Sequence, residues 1–333
     1  MTKAAVIILN WNGEKLLKEF LPSVIKNTNH STGRVIVADN ASEDKSVEIL
    51  EKEFPGIEVI RFDQNYGFAG GYNRAIELVD EEIIVLLNSD VEVVEGWLEP
   101  LIDVIEQDPQ VAAVQPKIKA YRNKDYFEYA GACGGYIDRL GFPFCRGRIL
   151  DVVEKDNAQY DDMVEVFWCS GAALCIRKKA YCQSGGLDER FFAHMEEIDL
   201  CWRMRNQGWK LKVNPLSVVY HLGGGSLPMN HPRKLFLNYR NNLLMLYKNL
   251  DSRKWEKVIL QRRFLDFAAM MMFLLKGEIS NVKSIILAYR EFSKMKRFYV
   301  PSDTEHKDAC IFQGSLIFEY YFKHIRRFSQ LWQ

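Results

Sequence analysis

The chain has 333 residues, 48% of them hydrophobic and 13% aromatic, and its 44 Lys and Arg balance 44 Asp and Glu. That apolar content excludes a disordered, collagen-like or small disulfide-stapled chain, and zero net charge argues against a dedicated nucleic-acid binder. Seven cysteines, an odd number without a CxxC pair, argue against a disulfide framework or zinc site and suit a reducing cytosol.

The opening apolar run AAVIIL (4–9) predicts a strand buried on both faces, not a leader peptide, because Asn10 and Asn12 end it at once. Helical spacing follows over 14–27. RVIVAD (34–39) predicts a second strand, followed by a helix opened by Ser42 and Asp44. IEVIRF (57–62) predicts a third, then a Gly-rich turn and a helix near 70–79. EIIVLLNSD (82–90) predicts a fourth strand that ends in a polar triplet. This alternation predicts a doubly wound, mostly parallel α/β sheet with ligands outside the carboxyl ends of its strands. Asn10, Asp39, Asn65 and the triplet Asn88, Ser89 and Asp90 fall at those ends.

Residues 115–230 are less regular and rich in Gly, Cys and aromatics. Within them 196–207 reads as a helix stopped by Gly208, and 209–221 as a pair of strands. Helical patterns dominate beyond 232. The expected division is an α/β domain over 1–230 and a helical C-terminal region over 231–333. The apolar stretch 264–275 is interrupted by Asp266 and falls short of the roughly 20 residues a spanning helix needs.

Four motifs carry chemistry. Asn88, Ser89 and Asp90 close an apolar strand; a carboxylate there suits Mg²⁺ or a similar hard cation, though the same residues also form ordinary turns. In FFAHMEEIDLCWR (191–203), Glu196 and Glu197 stand at a helix start, where the macrodipole favours a charged carboxylate able to act as general base. Asp199 and Arg203 are four apart, the spacing of an intrahelical ion pair. His221 precedes a glycine run that permits close approach to a ligand, and it reads either as a metal ligand or as a structural histidine. NYGFAGGYN (65–73), with Gly71 in its middle, is a strand-to-helix turn able to hold phosphate, or simply a tight turn. Its spacing fits neither the dinucleotide fingerprint nor the P-loop.

Taken in order, VIILNWNG (6–13), VADNASEDKS (37–46), NYGFAGGYNRA (65–75), LLNSDVEV (86–93), GGLDERFFAHMEEIDLCWR (185–203) and YHLGGGS (220–226) resemble glycosyltransferase family 2, inverting transferases with a GT-A fold. The likeness is greatest to its rhamnosyltransferase-like bacterial branch. The resemblance implies that Asn10, Asp39, Asn65 and Gly71 serve the nucleotide sugar. It places Asn88 and Asp90 at the family's DXD position, with Asp90 and His221 on Mg²⁺ or Mn²⁺. Glu197 matches the usual base, with Glu196 as its rival. Trp168, Ser170 and Gly171 are candidates for the sugar and acceptor pockets, with core packing the other reading of Trp168. Arg240 reads either as a diphosphate contact or as an interhelix residue.

Residues 251–333 carry a net +6 and residues 1–250 a net −6. A basic helical tail suits peripheral contact with an anionic membrane, or packing on a second copy as a homodimer. The expected partners are a nucleotide-diphosphate sugar and a saccharide or lipid-linked saccharide acceptor, with no nucleic acid. The expected location is the cytoplasm, on the inner face of the plasma membrane. A sugar nucleotidyltransferase is disfavoured because LNWNGEK lacks the Gly-rich basic loop such enzymes place after the first strand. A non-catalytic saccharide-binding scaffold is disfavoured by intact acids at 90, 196, 197 and 199.

Overall fold

The computed structural model describes residues 3–223, 231–303 and 309–332. The first half alternates as the sequence predicts: β1 (Ala4–Asn10), α1 (Glu14–Asn27), β2 (Gly33–Asp39), α2 (Ser46–Glu53), β3 (Glu58–Arg61), α3 (Gly67–Glu77) and β4 (Ile83–Asn88). β1 lies between β2 and β4, parallel to both, and β3 adds on beyond β2. Covered by helices on both sides, β1 has no face left for polar side chains until Asn10, which explains its unbroken apolar run.

Next come β5 (Val91–Val93), α4 (Glu99–Gln107), β6 (Val111–Ala120) and β7 (Asn123–Phe127). The short strands β8 (Gly135–Asp138), β9 (Pro143–Cys145), β10 (Arg148–Ile149) and β11 (Val152–Val153) follow. Then come β12 (Val164–Glu165), β13 (Ala173–Arg177), α5 (Lys178–Gln183), α6 (Glu196–Asn206) and β14 (Lys210–His221). The C-terminal region holds α7 (Pro232–Asn249), α8 (Ser252–Leu275), α9 (Ile279–Met295), β15 (Ile311–Phe312) and α10 (Leu316–Tyr321). The main sheet runs β12-β14-β6-β13-β4-β1-β2-β3, with β5 on β14 and β7 on β6, and a second sheet runs β11-β10-β9-β8-β15.

Two details differ from the sequence expectation. β13 enters antiparallel between β4 and β6, so the parallel half of the sheet ends at β4. Residues 210–221 form one strand, not a pair, interrupted by a register shift between Asn214 and Val218. Pro215 lies inside that shift; it has no N–H for the ladder, so the chain bulges without turning back.

Apolar layers cover both faces of the sheet. Leu17, Leu21 and Val24 of α1 and Leu101 and Ile102 of α4 fill one; Tyr72 and Ile76 of α3, Leu200 of α6 and Leu243 of α7 belong to the other. Each such fully buried side chain contributes about 2 kcal/mol. The second layer therefore ties α7 of the C-terminal region directly to α6.

Candidate active site

Asp90 follows the end of β4, and β5 begins one residue later. Because β5 pairs antiparallel with the end of β14, the ladder sets His221 opposite Val91. His221 Nε2 then lies 3.1 Å from Asp90 Oδ1. Its Nδ1 lies 3.5 Å from Oε1 of Glu128, just beyond β7. Asp90, Glu128 and His221 are all buried. Burial opposes charge on His221, but the two carboxylates outweigh it and push its pKa up to about 10. Asp90 is held below the usual carboxylate range: burial acts upward, while the His221 hydrogen bond and charge act downward more strongly. Asp90 would give an oxygen ligand and His221, on giving up its Nε2 proton, a nitrogen ligand side by side, a pair that fits a divalent cation. Among the described residues no group of three His, Cys, Asp or Glu forms a complete protein cage. Gly224, Gly225 and Ser226 of the motif after His221 lie outside the described residues.

The acidic pair is positioned by a strained loop. Phe192, His194 and Met195, directly before α6, all have positive φ (68°, 70° and 73°). Conformations of this kind cost on the order of 1–3 kcal/mol each unless their surroundings enforce them. Here the enforcing residue is Asn241 of α7, fully buried. Its Nδ2 donates to the carbonyls of Phe191 (3.0 Å), Ala193 (2.8 Å) and His194 (2.8 Å). Arg240 adds a bond from Nη2 to the Phe191 carbonyl (2.8 Å), and its Nε donates to Asn241 Oδ1 (2.9 Å). Nε and Nη2 of Arg240 thus serve this loop, in keeping with the interhelix reading. Asn241→Leu removes the one amide group that serves all three carbonyls, leaving those of Ala193 and His194 without it, and is expected to destabilise the protein by about 1–3 kcal/mol for each of these two, read by urea melts.

Glu196 and Glu197 open α6. Glu196 is only 5% exposed, whereas Glu197 is partly open, and each has one carboxylate oxygen without a hydrogen-bond partner. Burial raises Glu196 well above the ordinary carboxyl range, and the neighbouring Glu197 adds to the rise. Burial also raises Glu197, but the backbone N–H groups of Glu197 and Ile198 act downward. A Cβ built on Gly171 would lie 3.6 Å from Glu197 Cβ, so the turn at 170–172 lies against the base of this side chain. Ala172 in the same turn accepts the Asn88 N–H at 3.0 Å. That turn therefore joins Glu197 to the end of β4.

Asp199, one turn into α6, is fully buried. It binds Arg203 Nε at 2.9 Å, as the spacing predicts, and also Lys248 Nζ at 2.8 Å and Asn249 Nδ2 at 2.8 Å, both from α7. Lys248 continues to Asp188 at 2.7 Å.

At the far strand ends, buried Asn10 donates to Asp39 Oδ2 (2.9 Å), and the Ser42 N–H and hydroxyl hold the same carboxylate (2.9 and 2.7 Å). Asn10 Oδ1 has no partner. Asn65 is exposed and closes the turn into α3 by accepting the Gly67 N–H (2.8 Å) and Asn40 Nδ2 (3.0 Å). Gly71 is buried; a Cβ there would meet Leu9 Cδ1 at 2.6 Å, so it serves close packing of α3 on β1. Trp168 is also a core residue: its indole covers Gly135 and donates to the Tyr136 carbonyl at 3.0 Å, which corrects the expectation of sugar stacking. Ser170 is buried, its N–H bound to Gln115 Oε1 at 2.9 Å, and it shapes the turn that Gly171 presents. Sequence reasoning missed Glu128, which reads as part of a Gly-rich turn, and Asn40, which binds the 65–67 turn. It also passed over Trp11, 57% exposed beside Asn10.

The comparisons with known proteins agree with this geometry. The Staphylococcus aureus TarS fragment 1–349 in complex with UDP-GlcNAc superposes with a TM-score of 0.58 at 16% identity, over 87% of this chain and 80% of that one. A Pyrobaculum calidifontis mannosyltransferase with GDP-Man and Mn²⁺ superposes with a TM-score of 0.51 at 13% identity, over 88% and 75%. The architecture is the GT-A fold, and the protein is a glycosyltransferase. More closely, residues 5–172 match the model of glycosyl transferase family 2, and the chain belongs to that family. It is 26% identical over 259 residues to the N-acetylglucosaminyl-diphospho-decaprenol L-rhamnosyltransferase of Mycobacterium tuberculosis, covering 72% of this chain and 83% of the relative. The rhamnosyltransferase WbbL of Escherichia coli is 23% identical over 225 residues, covering 65% and 82%.

Proposed function

We propose that this chain moves rhamnose or another hexose, with inversion, from a nucleoside-diphosphate sugar to a saccharide carried on a lipid, in the building of a bacterial surface polysaccharide. The observation that carries the reading is the joining of Glu197 to the Asn88 strand end through the 170–172 turn. The names of the mycobacterial and Escherichia coli relatives support the sugar, and the former supports the lipid-linked acceptor. On this reading the enzyme works at the inner face of the plasma membrane.

The proposed roles follow from position. Asn10 and Asp39 hold the base and ribose, with Asn65 at the rim. Asp90 and His221 hold Mg²⁺ or Mn²⁺, which supplies charge neutralisation to the departing diphosphate. Asn88 faces the same crevice. Glu197 takes the proton of the acceptor hydroxyl as that oxygen attacks the anomeric carbon. Glu196 is the deeper of the two, and burial and the neighbouring Glu197 oppose its charge, which leaves the base role to Glu197.

Glu128 Oε1 lies 3.5 Å from His221 Nδ1, the position carboxylates take behind metal-ligating histidines. Glu128→Gln is therefore expected to weaken Mn²⁺ binding about 10- to 100-fold. Asp90→Ala should remove the metal-dependent part of donor binding. Both are read by calorimetry and by thermal shift across a panel of nucleotide sugars with and without Mn²⁺. Metal-dependent affinity left intact in Asp90→Ala overturns the assignment, and the panel identifies the base.

A further inference from the structure

The helix α8 is inside out. Its buried residues are Ile259, Arg262 and Asp266. Arg262 donates to the Leu140 carbonyl (3.0 Å) and to Asn242 Oδ1 (2.7 Å), and lies 3.8 Å over the Phe142 ring. Asp266 accepts from the Tyr289 hydroxyl at 2.7 Å. Arg262 and Asp266 thus join Trp255, Val258 and Ile259 in docking α8 on the body, while most apolar side chains of its second half point away: Phe264 is 72% and Leu275 85% exposed, and Phe267, Met271 and Leu274 are exposed as well. Phe264, Phe267, Met271, Met272 and Leu275 line an open groove of about 560 Å³ with Lys276 at its end. On α9 the exposed Ile279, Ile286 and Leu287 continue the apolar surface. A patch of this extent on a soluble face marks an interaction surface.

Charge decides between occupants. Arg263, Lys276, Lys283 and Arg290 are exposed among these apolar residues and make no ion pair among the described residues. The carboxylates of the hairpin are turned to other work. Asp266 is buried, Glu278 accepts from Asn281 (2.6 Å) and Glu291 pairs with Lys294 (2.8 Å), while Glu256 lies before the apolar stretch, beside Lys257. A twofold dimer through this face would set the cations of one copy against those of the other. An anionic bilayer surface satisfies both the apolar stripe and its cations. The segment 264–275 is too short to cross a bilayer, and no described helix is long and apolar enough to do so, so the hairpin lies along the surface.

We propose that the outer face of α8 and α9 seats on the headgroups and upper acyl chains of an anionic membrane. The proposal deepens the lipid-linked acceptor reading and rests on it for the surface concerned. It is tested by co-sedimentation of the full chain with vesicles of phosphatidylcholine alone and of equal parts phosphatidylcholine and phosphatidylglycerol. Binding is expected to the anionic vesicles and to weaken with salt. A triple variant, Phe264→Glu, Phe267→Glu and Leu275→Glu, should lose it. A second variant, Arg263→Gln, Lys276→Gln, Lys283→Gln and Arg290→Gln, should weaken it by at least about tenfold. Nucleotide-sugar binding measured on the same preparations should stay unchanged, which reports that the variants fold. Absent binding to anionic vesicles, or a solution dimer that the triple variant dissociates, overturns the proposal. Vesicle binding without transfer to any lipid-linked acceptor would instead count against the acceptor reading alone.

Discussion

Glu197→Gln is expected to slow sugar transfer by about 10²- to 10⁴-fold, the usual worth of a positioned general base, with nucleotide-sugar binding intact. The substitution keeps the shape and removes the charge. Glu197 has the open face of the pair, a carboxylate oxygen without a partner, and the backbone N–H groups of its own helix turn acting to keep it ionised. Glu196→Gln is the contrasting variant. Glu196 is closed off, and burial and the neighbouring Glu197 raise its carboxyl well above the ordinary range, so an amide there removes a charge that the site already opposes. Most of the transfer rate should survive. The sign of the stability effect comes from linkage. A carboxyl raised on folding contributes stability below its unfolded value, near pH 4.5, and loses it as pH rises toward its folded value. Glu196→Gln lacks that loss, so its thermal stability relative to wild type should improve as pH rises above about 4.5. Near-normal transfer by Glu197→Gln together with a collapse in Glu196→Gln would exchange the two roles.

A large stability effect is expected for Asp199→Ala. Removing one partner from a buried ionic cluster leaves the others uncompensated, at about 3–5 kcal/mol. Here the orphans would be Lys248 and Arg203, both largely buried, with Asn249 losing its acceptor as well. Denaturant unfolding measures the difference, and a loss below about 1 kcal/mol, the scale of an exposed pair, would show that water reaches the cluster. The same network responds to acid. Burial acts to raise Asp188, but Lys248 holds it below the usual carboxylate range. Its contribution is therefore present above the unfolded value, at about pH 4, and is lost as pH falls through the folded one.

Much of the scaffold was legible. Apolar runs ended by Asn or Asp marked the parallel strands, because strands covered on both faces tolerate polar residues only where they emerge. The i,i+4 spacing of Asp199 and Arg203 gave their ion pair. What the chain order hid was direction and long-range contact. An apolar run such as ALCIR fits a parallel or an antiparallel slot equally, so the insertion of β13 was not readable. Glu128 gains its meaning only when β7 is laid beside β6 and β14 brings His221 across. Asn241 sits in a helix that reads as ordinary surface pattern, and nothing local shows that its amide serves a loop far earlier in the chain. Gly71 carried the opposite lesson: it lies within a family-like stretch, yet it packs α3 on β1.

The loop before α6 has a consequence for anyone recombining such enzymes. Its three left-handed residues are held by Asn241 and Arg240, and α6 itself is anchored to Lys248 and Asn249. All four lie on α7, beyond residue 230. A chimaera joined at 230 would supply this clamp from a foreign helix, and the acidic pair would inherit the donor parent's geometry. A crossover between Leu250 and Ser252 keeps the clamp with the loop it holds, and exchanges only the α8–α9 hairpin and the residues beyond it.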